Sequence, residues 1–352
     1  MKVRTFMSLI AAALTAVLTL AIGAGTGSAK TDVAAAPATF KVTLVTDIGG
    51  LDDRSFNFLA NKGLQDAKKK LGVQGNVFIS KSDRDYIPNL TRAARDGSGL
   101  VIGVGFLMAD ALAQVAKRFP RTKFAIIDNS GVAAELKGKP TNVRGLLFKE
   151  QEAGYLVGYL AGLRAKNVPN SNGVIAAVGG LKIPPVDRFI AGYYVGAKKA
   201  FAGVKVEHSY SQDFVDQAKC KEAALNHIAN GASVVFQVAG QCGLGVLSAA
   251  KEKKVFGIGV DADQGYLGAH VLTSATKKVD VAVYTTIAAA KGGGAKFKTG
   301  FNAIFTVKNG GVGYGKISSR AQPAWKKAVE SIRLQIASGK IKVTAQSPPA
   351  TG

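Results

Sequence analysis

The sequence predicts an α/β protein of two similar Rossmann-like lobes, each a parallel sheet with helices on both faces, joined through a hinge. Three observations carry this. From Phe40 onward, short runs rich in Val, Ile and Phe alternate with segments whose apolar residues recur at helical spacing. Ten such runs are too many for one compact doubly wound sheet in a chain of 352 residues. The series also restarts: "KVTLVTDIGG" leading to "SFN" and "NGVIAAVGG" leading to "DRF" share one layout of strand, Gly-Gly and helix.

In chain order, residues 1–29 read as an export signal. Lys2 and Arg4 precede an apolar run over about 6–22, and Gly27-Ser28-Ala29 offers the small residues of a cleavage site. Residues 30–39 read as a flexible leader. The signal is too short and alanine-rich for an anchor, and no second apolar segment follows. No cysteine lies near the cleavage site, so the protein reads as exported, to a periplasm or the outer face of the membrane or wall, without a lipid anchor. The first set of strands is expected at 41–47, 76–80, 99–105, 123–128 and 143–148, and the second at 172–180, 204–210, 233–240, 254–261 and 270–276. Between them run amphipathic segments such as "SFNFLANKGLQDAKKKLG", "EQEAGYLVGYLAGLRAK" and "VDRFIAGYYVGAKKAF". The formal net charge of +23 is spread along such helices with no zinc-finger or RNA-binding signature, which suits a basic surface facing anionic lipid or wall polymer and argues against nucleic acid.

In open α/β sheets ligands lie beyond the carboxyl ends of the strands, so the functional residues are sought in those loops. The loop after the first strand holds Asp47, Phe56 and Asn57. Asp53 or Ser55 in the same loop suits a helix N-cap, which leaves Asp47 unexplained by capping. Asp110 follows the third strand and is either a cap or a ligand group. Phe189 opens a helix after a proline turn in the second lobe, Gly240 lies in the loop after "SVVFQV", Asp261 ends "KVFGIGVD", and Lys277 follows "TSAT". Cys220 and Cys242 lie close in sequence and are either two buried thiols or a bridge. No nucleophile sits with a base, the three histidines are scattered, and no zinc or EF-hand spacing occurs, so neither catalysis nor a metal or cofactor is expected. Two aromatics with several carboxylates suit a flat, neutral, donor-rich molecule. The rings can stack on a heterocycle and the carboxylates accept from its N–H groups and from sugar hydroxyls, while a phosphate would be repelled. A nucleoside fits this inventory.

These residues stand in motifs with a family resemblance. "VTDIGGLDDRSFN", "VGFLMADAL", "VRGLLFKEQEAGYLVGYLAG", "GGLKIPPVDRFIAGYYVGAKK", "VVFQVAG" and "GVDADQ…VLTSATKKVD" together resemble the basic membrane protein, or PnrA-like, family of substrate-binding proteins for nucleoside ABC importers. The resemblance implies the type I periplasmic-binding-protein fold and a monomer that delivers ligand to a permease. It implies that Asp47 and Asp110 read the base, that Phe56 and Phe189 sandwich it, and that Asp261 and Lys277 hold ribose hydroxyls, with Gly240 lining the cleft and Asn57 a further contact. The lobes are then expected at 40–148 plus 264–300 and at 149–263 plus 301–346, and a bridge between Cys220 and Cys242, if formed, would stiffen the loop around Gly240. The competing readings are the same fold binding a sugar, autoinducer or other metabolite, and a nucleoside-acting hydrolase.

Overall fold

A computed structural model describes residues 39–167, 172–293 and 296–350, so the expected signal and nearly all of the leader lie outside the described residues. Ten strands form where the alternation places them. They are β1 (Lys41–Val45), β2 (Gln74–Phe78), β3 (Leu100–Gly103), β4 (Lys123–Ile127) and β5 (Val143–Phe148), then β6 (Val174–Gly179), β7 (Lys205–Tyr210), β8 (Val234–Val238), β9 (Phe256–Asp261) and β10 (Val271–Lys277). Two further short strands, β11 (Phe301–Phe305) and β12 (Val312–Tyr314), were not legible in the sequence. The first sheet runs β11-β5-β4-β3-β1-β2 and the second β12-β10-β9-β8-β6-β7. With the added edge strands set aside, the two orders are the same, so the restart in the sequence is a duplicated sheet. All pairings are parallel except that of β12 with β10. The central strands β3, β6, β8 and β9 are buried residue for residue, as parallel strands covered on both faces must be.

The helices are α1 (Phe56–Leu71), α2 (Tyr86–Arg95), α3 (Ala109–Arg118), α4 (Glu150–Lys166), α5 (Pro184–Ala200), α6 (Gln217–Ala229), α7 (Gly243–Glu252), α8 (Val279–Gly292) and α9 (Pro323–Ala337). Among the described residues no helix is long and apolar enough to cross a membrane. The chain passes between the two lobes three times, and two of the crossings correct the expected boundaries. The first lies after Phe148. The second lies between β10 and α8, not near Asp263: β10 belongs to the second sheet, while α8 packs on α1, where a Cβ added to Gly63 would sit 2.4 Å from the Asp280 carbonyl oxygen. The third lies between β11 and β12, not at Gly300, because β11 pairs with β5 in the first sheet.

One packing seam places the cleft residues. Glycines recur every four residues in "GYLVGYLAG" and "AGYYVG", so α4 and α5 meet backbone to backbone. A Cβ at Gly154, Gly158, Gly192 or Gly196 would lie 2.0 to 2.1 Å from a carbonyl oxygen of the facing helix. This contact fixes the N-terminal two turns of both helices, which carry Glu150, Arg188 and Phe189.

Candidate functional site

The loop after β1 is built to aim side chains rather than to cradle phosphate. Gly49 and Gly50 take φ of 110° and 66°, which lets the chain reverse between Asp47 and α1. Asp53 supplies the cap: its carboxylate accepts from the backbone N–H groups of Ser55 at 3.0 Å, Asn57 at 2.7 Å and Phe58 at 2.9 Å. Ser55 is thereby released from capping, and its hydroxyl donates to Asp261 Oδ2 in the opposite lobe at 2.7 Å. Asn57 Oδ1 accepts from the Asp47 N–H at 3.1 Å, fastening the two ends of the loop. Asp47 Oδ1 accepts from Ile48 N–H at 2.8 Å and from the hydroxyl of Tyr86, the first residue of α2. Burial pushes the Asp47 carboxyl up to about 6, against the lowering effect of those two donors.

Two further carboxylates face one another from equivalent places in the lobes. Asp128 follows β4 and Asp261 ends β9, the matching strand of the second sheet, and each stands at positive φ, 67° and 59°. Few side chains adopt that conformation, and aspartate does so more readily than most. Burial pushes Asp128 up to about 6 and Asp261 up to about 7, opposed in both by Lys277. Lys277 ends β10 with its ammonium 2.6 Å from Asp128 Oδ1 and 3.0 Å from Glu150 Oε1. Glu150 in turn accepts from Arg188 Nε at 2.7 Å. Burial would raise Glu150, but Lys277 and Arg188 outweigh it and hold the carboxyl below its ordinary value. The same ammonium lies 5.1 Å from the ring centre of Phe56 and 5.8 Å from that of Phe189, one ring from each lobe.

These groups surround one cavity between the sheets, about 630 Å³ of atom-free space counted with its open mouth. Asp47, Phe56, Asn57, Phe189, Gly240, Asp261 and Lys277 all line it, together with Asp53, Asp128, Phe106 and Phe214. Asp110 does not. Residues 106–108 form a short turn of 3-10 helix that carries the chain away, so Asp110 falls in the first turn of α3 with its side chain 76% exposed and paired to Lys137 at 3.6 Å. Its place among the cleft carboxylates is taken by Asp128. That residue follows a predicted strand just as Asp261 does, so applying the strand-end argument equally to both lobes would have found it. Glu150, Arg188 and Tyr86 were also missed: they act on cleft groups from the N-terminal ends of helices, and the sequence gives no sign of which helix ends converge.

Gly240 precedes α7, and Cys242 beside it forms a disulfide with Cys220 of α6, Cα–Cα 5.5 Å. Away from the cavity, Ser209 Oγ lies 2.9 Å from His227 Nε2 and Glu207 Oε2 lies 3.1 Å from His227 Nδ1, tying the edge strand β7 to α6. Among the described residues no cluster of three or more His, Cys, Asp or Glu is arranged to hold a metal ion.

Two lobes with parallel sheets in the same order, and a cavity lined by strand-end loops from both, define a two-lobed solute-binding protein. The chain belongs to the family described as ABC transporter substrate-binding protein PnrA-like, whose model matches residues 40–347. It is 35% identical over 342 residues to the ABC transporter nucleoside-binding protein BmpA of Lactococcus lactis, covering 91% of each chain. It is 34% identical over 248 residues to basic membrane protein D of Borreliella burgdorferi, covering 69% of this chain and 70% of that one. Among solved structures, an ABC transporter solute-binding protein from Aeropyrum pernix superposes with a TM-score of 0.77 at 29% identity, covering 86% of this chain and 92% of that one.

Proposed function

We propose that this chain is the extracytoplasmic receptor of an ABC importer and binds a nucleoside in the interlobe cavity for delivery to the permease. The observation that carries the reading is the pairing of Phe56 and Phe189, one ring from each lobe beside the same ammonium, within a ring of strand-end carboxylates. Stacked rings suit a planar heterocycle. Asp47 suits the base edge, and the Asp128–Lys277–Asp261 group suits a pair of hydroxyls, where carboxylate acceptors and an ammonium donor serve both hydrogen-bond roles. Carboxylates outnumber ammonium groups around the cavity, so a phosphate entering it would meet repulsion. The relative named as nucleoside-binding supports the same ligand class, and relatives named as lipoproteins support an extracytoplasmic location. Lobe closure would follow from ligand contacts made to both lobes at once, since only those favour the closed state over the open one.

The test is equilibrium binding of a panel of nucleosides and sugars to the purified protein, repeated with Phe56→Ala and Asp261→Ala. Nucleosides are expected to bind and both substitutions to weaken them. A sugar bound in preference to every nucleoside, or affinity unchanged in both variants, would refute the reading.

A further inference from the structure

Asp47 is held in an asymmetric way. Its Oδ1 already accepts two hydrogen bonds, from Ile48 N–H at 2.8 Å and from the Tyr86 hydroxyl. Its Oδ2 points toward Gly105, where an added Cβ would come within 2.2 Å of that oxygen; glycine, at φ 110°, leaves the space open. Both Asp47 and Gly105 line the cavity, whereas Tyr86 is buried behind Asp47, 2% exposed. A donor placed behind a carboxylate favours its ionised form and fixes which oxygen faces forward. An ionised carboxylate accepts hydrogen bonds and cannot donate one.

We infer that Tyr86 is a positioning residue that sets the base selectivity of the site: by tethering Oδ1 it keeps Asp47 a pure acceptor, aimed through Oδ2 at a nucleoside whose base edge presents a ring N–H. This rests on the nucleoside reading above and narrows it. A base edge carrying only bare ring nitrogens would set two acceptors against each other. The inference therefore separates 6-oxopurine nucleosides, which carry a ring N–H, from purine riboside, which has the same rings and sugar and lacks that donor.

The charged and titratable groups near Asp47 come from several elements. They are Tyr86 of α2 and Asp83 just before it, Asp53 in its own loop, Asp128 after β4, and Asp261 and Lys277 across the cavity. Asp128 and Asp261 titrate in a similar range, but as groups suited to the sugar they act on both nucleosides alike. The ratio of inosine affinity to purine riboside affinity isolates Asp47. Because burial holds Asp47 at about 6, the ionised form prevails above that pH and is lost as pH falls through it. Removing the Tyr86 hydroxyl takes away a lowering contact, so the same loss should occur at higher pH.

The experiment measures the dissociation constants of inosine and purine riboside by calorimetry from pH 5 to 8.5, for the unmodified protein, Tyr86→Phe and Asp47→Asn. Phenylalanine preserves the buried ring, and thermal melting confirms that each variant folds. In the unmodified protein the inosine preference is expected to fall as pH drops through about 6. In Tyr86→Phe that fall should move upward by about one pH unit, roughly the effect of one hydrogen bond to a charged group. In Asp47→Asn the ratio should be flat with pH. A Tyr86→Phe profile superimposing on that of the unmodified protein overturns the inference, as does a pH-dependent ratio surviving in Asp47→Asn, and both leave nucleoside binding standing. Binding of neither nucleoside overturns the inference, while the wider nucleoside reading stands or falls on the panel above.

Discussion

Replacing Lys277 with methionine tests how the cleft holds its charges. The side chain keeps its length and loses the ammonium that lies 2.6 Å from Asp128 and 3.0 Å from Glu150, with all three side chains 5% exposed or less. Glu150 keeps Arg188 at 2.7 Å, so the charge left without a partner is chiefly that of Asp128, with Asp261 beside it also losing a favourable neighbour. Breaking a buried ion pair from one side costs about 3–5 kcal/mol, a large share of the roughly 5–15 kcal/mol by which a folded domain is stable. The cost should depend on pH, and the sign follows from the carboxyls. Asp128 and Asp261 already stand at about 6 and 7 when folded, above their ordinary value of 3.8, and losing Lys277 pushes both higher. A carboxyl raised by folding destabilises where it must ionise, and protonation relieves it as pH falls toward its unfolded value. Urea unfolding of the unmodified protein and Lys277→Met at pH 8 and pH 5 should show the full loss at pH 8 and a clearly smaller one at pH 5. Equal stability of the two proteins at pH 8, or a loss that grows on acidification, would refute the argument.

Phe56→Ala and Phe189→Ala should each weaken nucleoside binding by about 1–3 kcal/mol, roughly fivefold to a hundredfold, as measured by calorimetry. Phe189→Ala should also lower the melting temperature, because that ring packs edge-on against Phe236 at 6.3 Å whereas Phe56 is only partly buried. Asp110→Asn should leave affinity unchanged while Asp128→Asn reduces it, which equilibrium binding on the two variants checks directly. Reducing the Cys220–Cys242 bridge, whose cysteines are 22 residues apart, should cost about 3 kcal/mol in denaturant titrations with and without reductant. Gly158→Val should destabilise strongly in thermal melts, because even a Cβ there would meet the Tyr193 carbonyl oxygen at 2.1 Å.

The fold was legible because periodicity is a local signal: ten strands and the restart of the series follow from short runs repeated along the chain. The two misplaced crossings were not, since whether β10 or β11 joins one sheet or the other depends on long-range pairing, and "FNAIF" reads alike in either. The cavity lining was legible as far as strand ends fix it, which covers Asp47, Asp261 and Lys277. It failed at Asp110, where a three-residue turn decides whether an aspartate after a strand faces the cleft or the solvent. Ser55 shows a subtler limit. Both it and Asp53 suit a cap, and only the structure shows Asp53 taking that role with three backbone N–H groups while Ser55 reaches across to Asp261. Tyr86 and Glu150 lay out of view because their effect on the cleft passes through another side chain.

A cleft that takes a neutral nucleoside through aromatic faces and carboxylates should discriminate against a phosphate. Calorimetric titration of one nucleoside beside its own 5′-monophosphate, into protein unfolded and refolded to strip any bound ligand, tests it most directly. Saturable binding of the nucleoside with the monophosphate bound far more weakly is the expected result. Binding of the monophosphate as tightly as the nucleoside, or of neither, would contradict it.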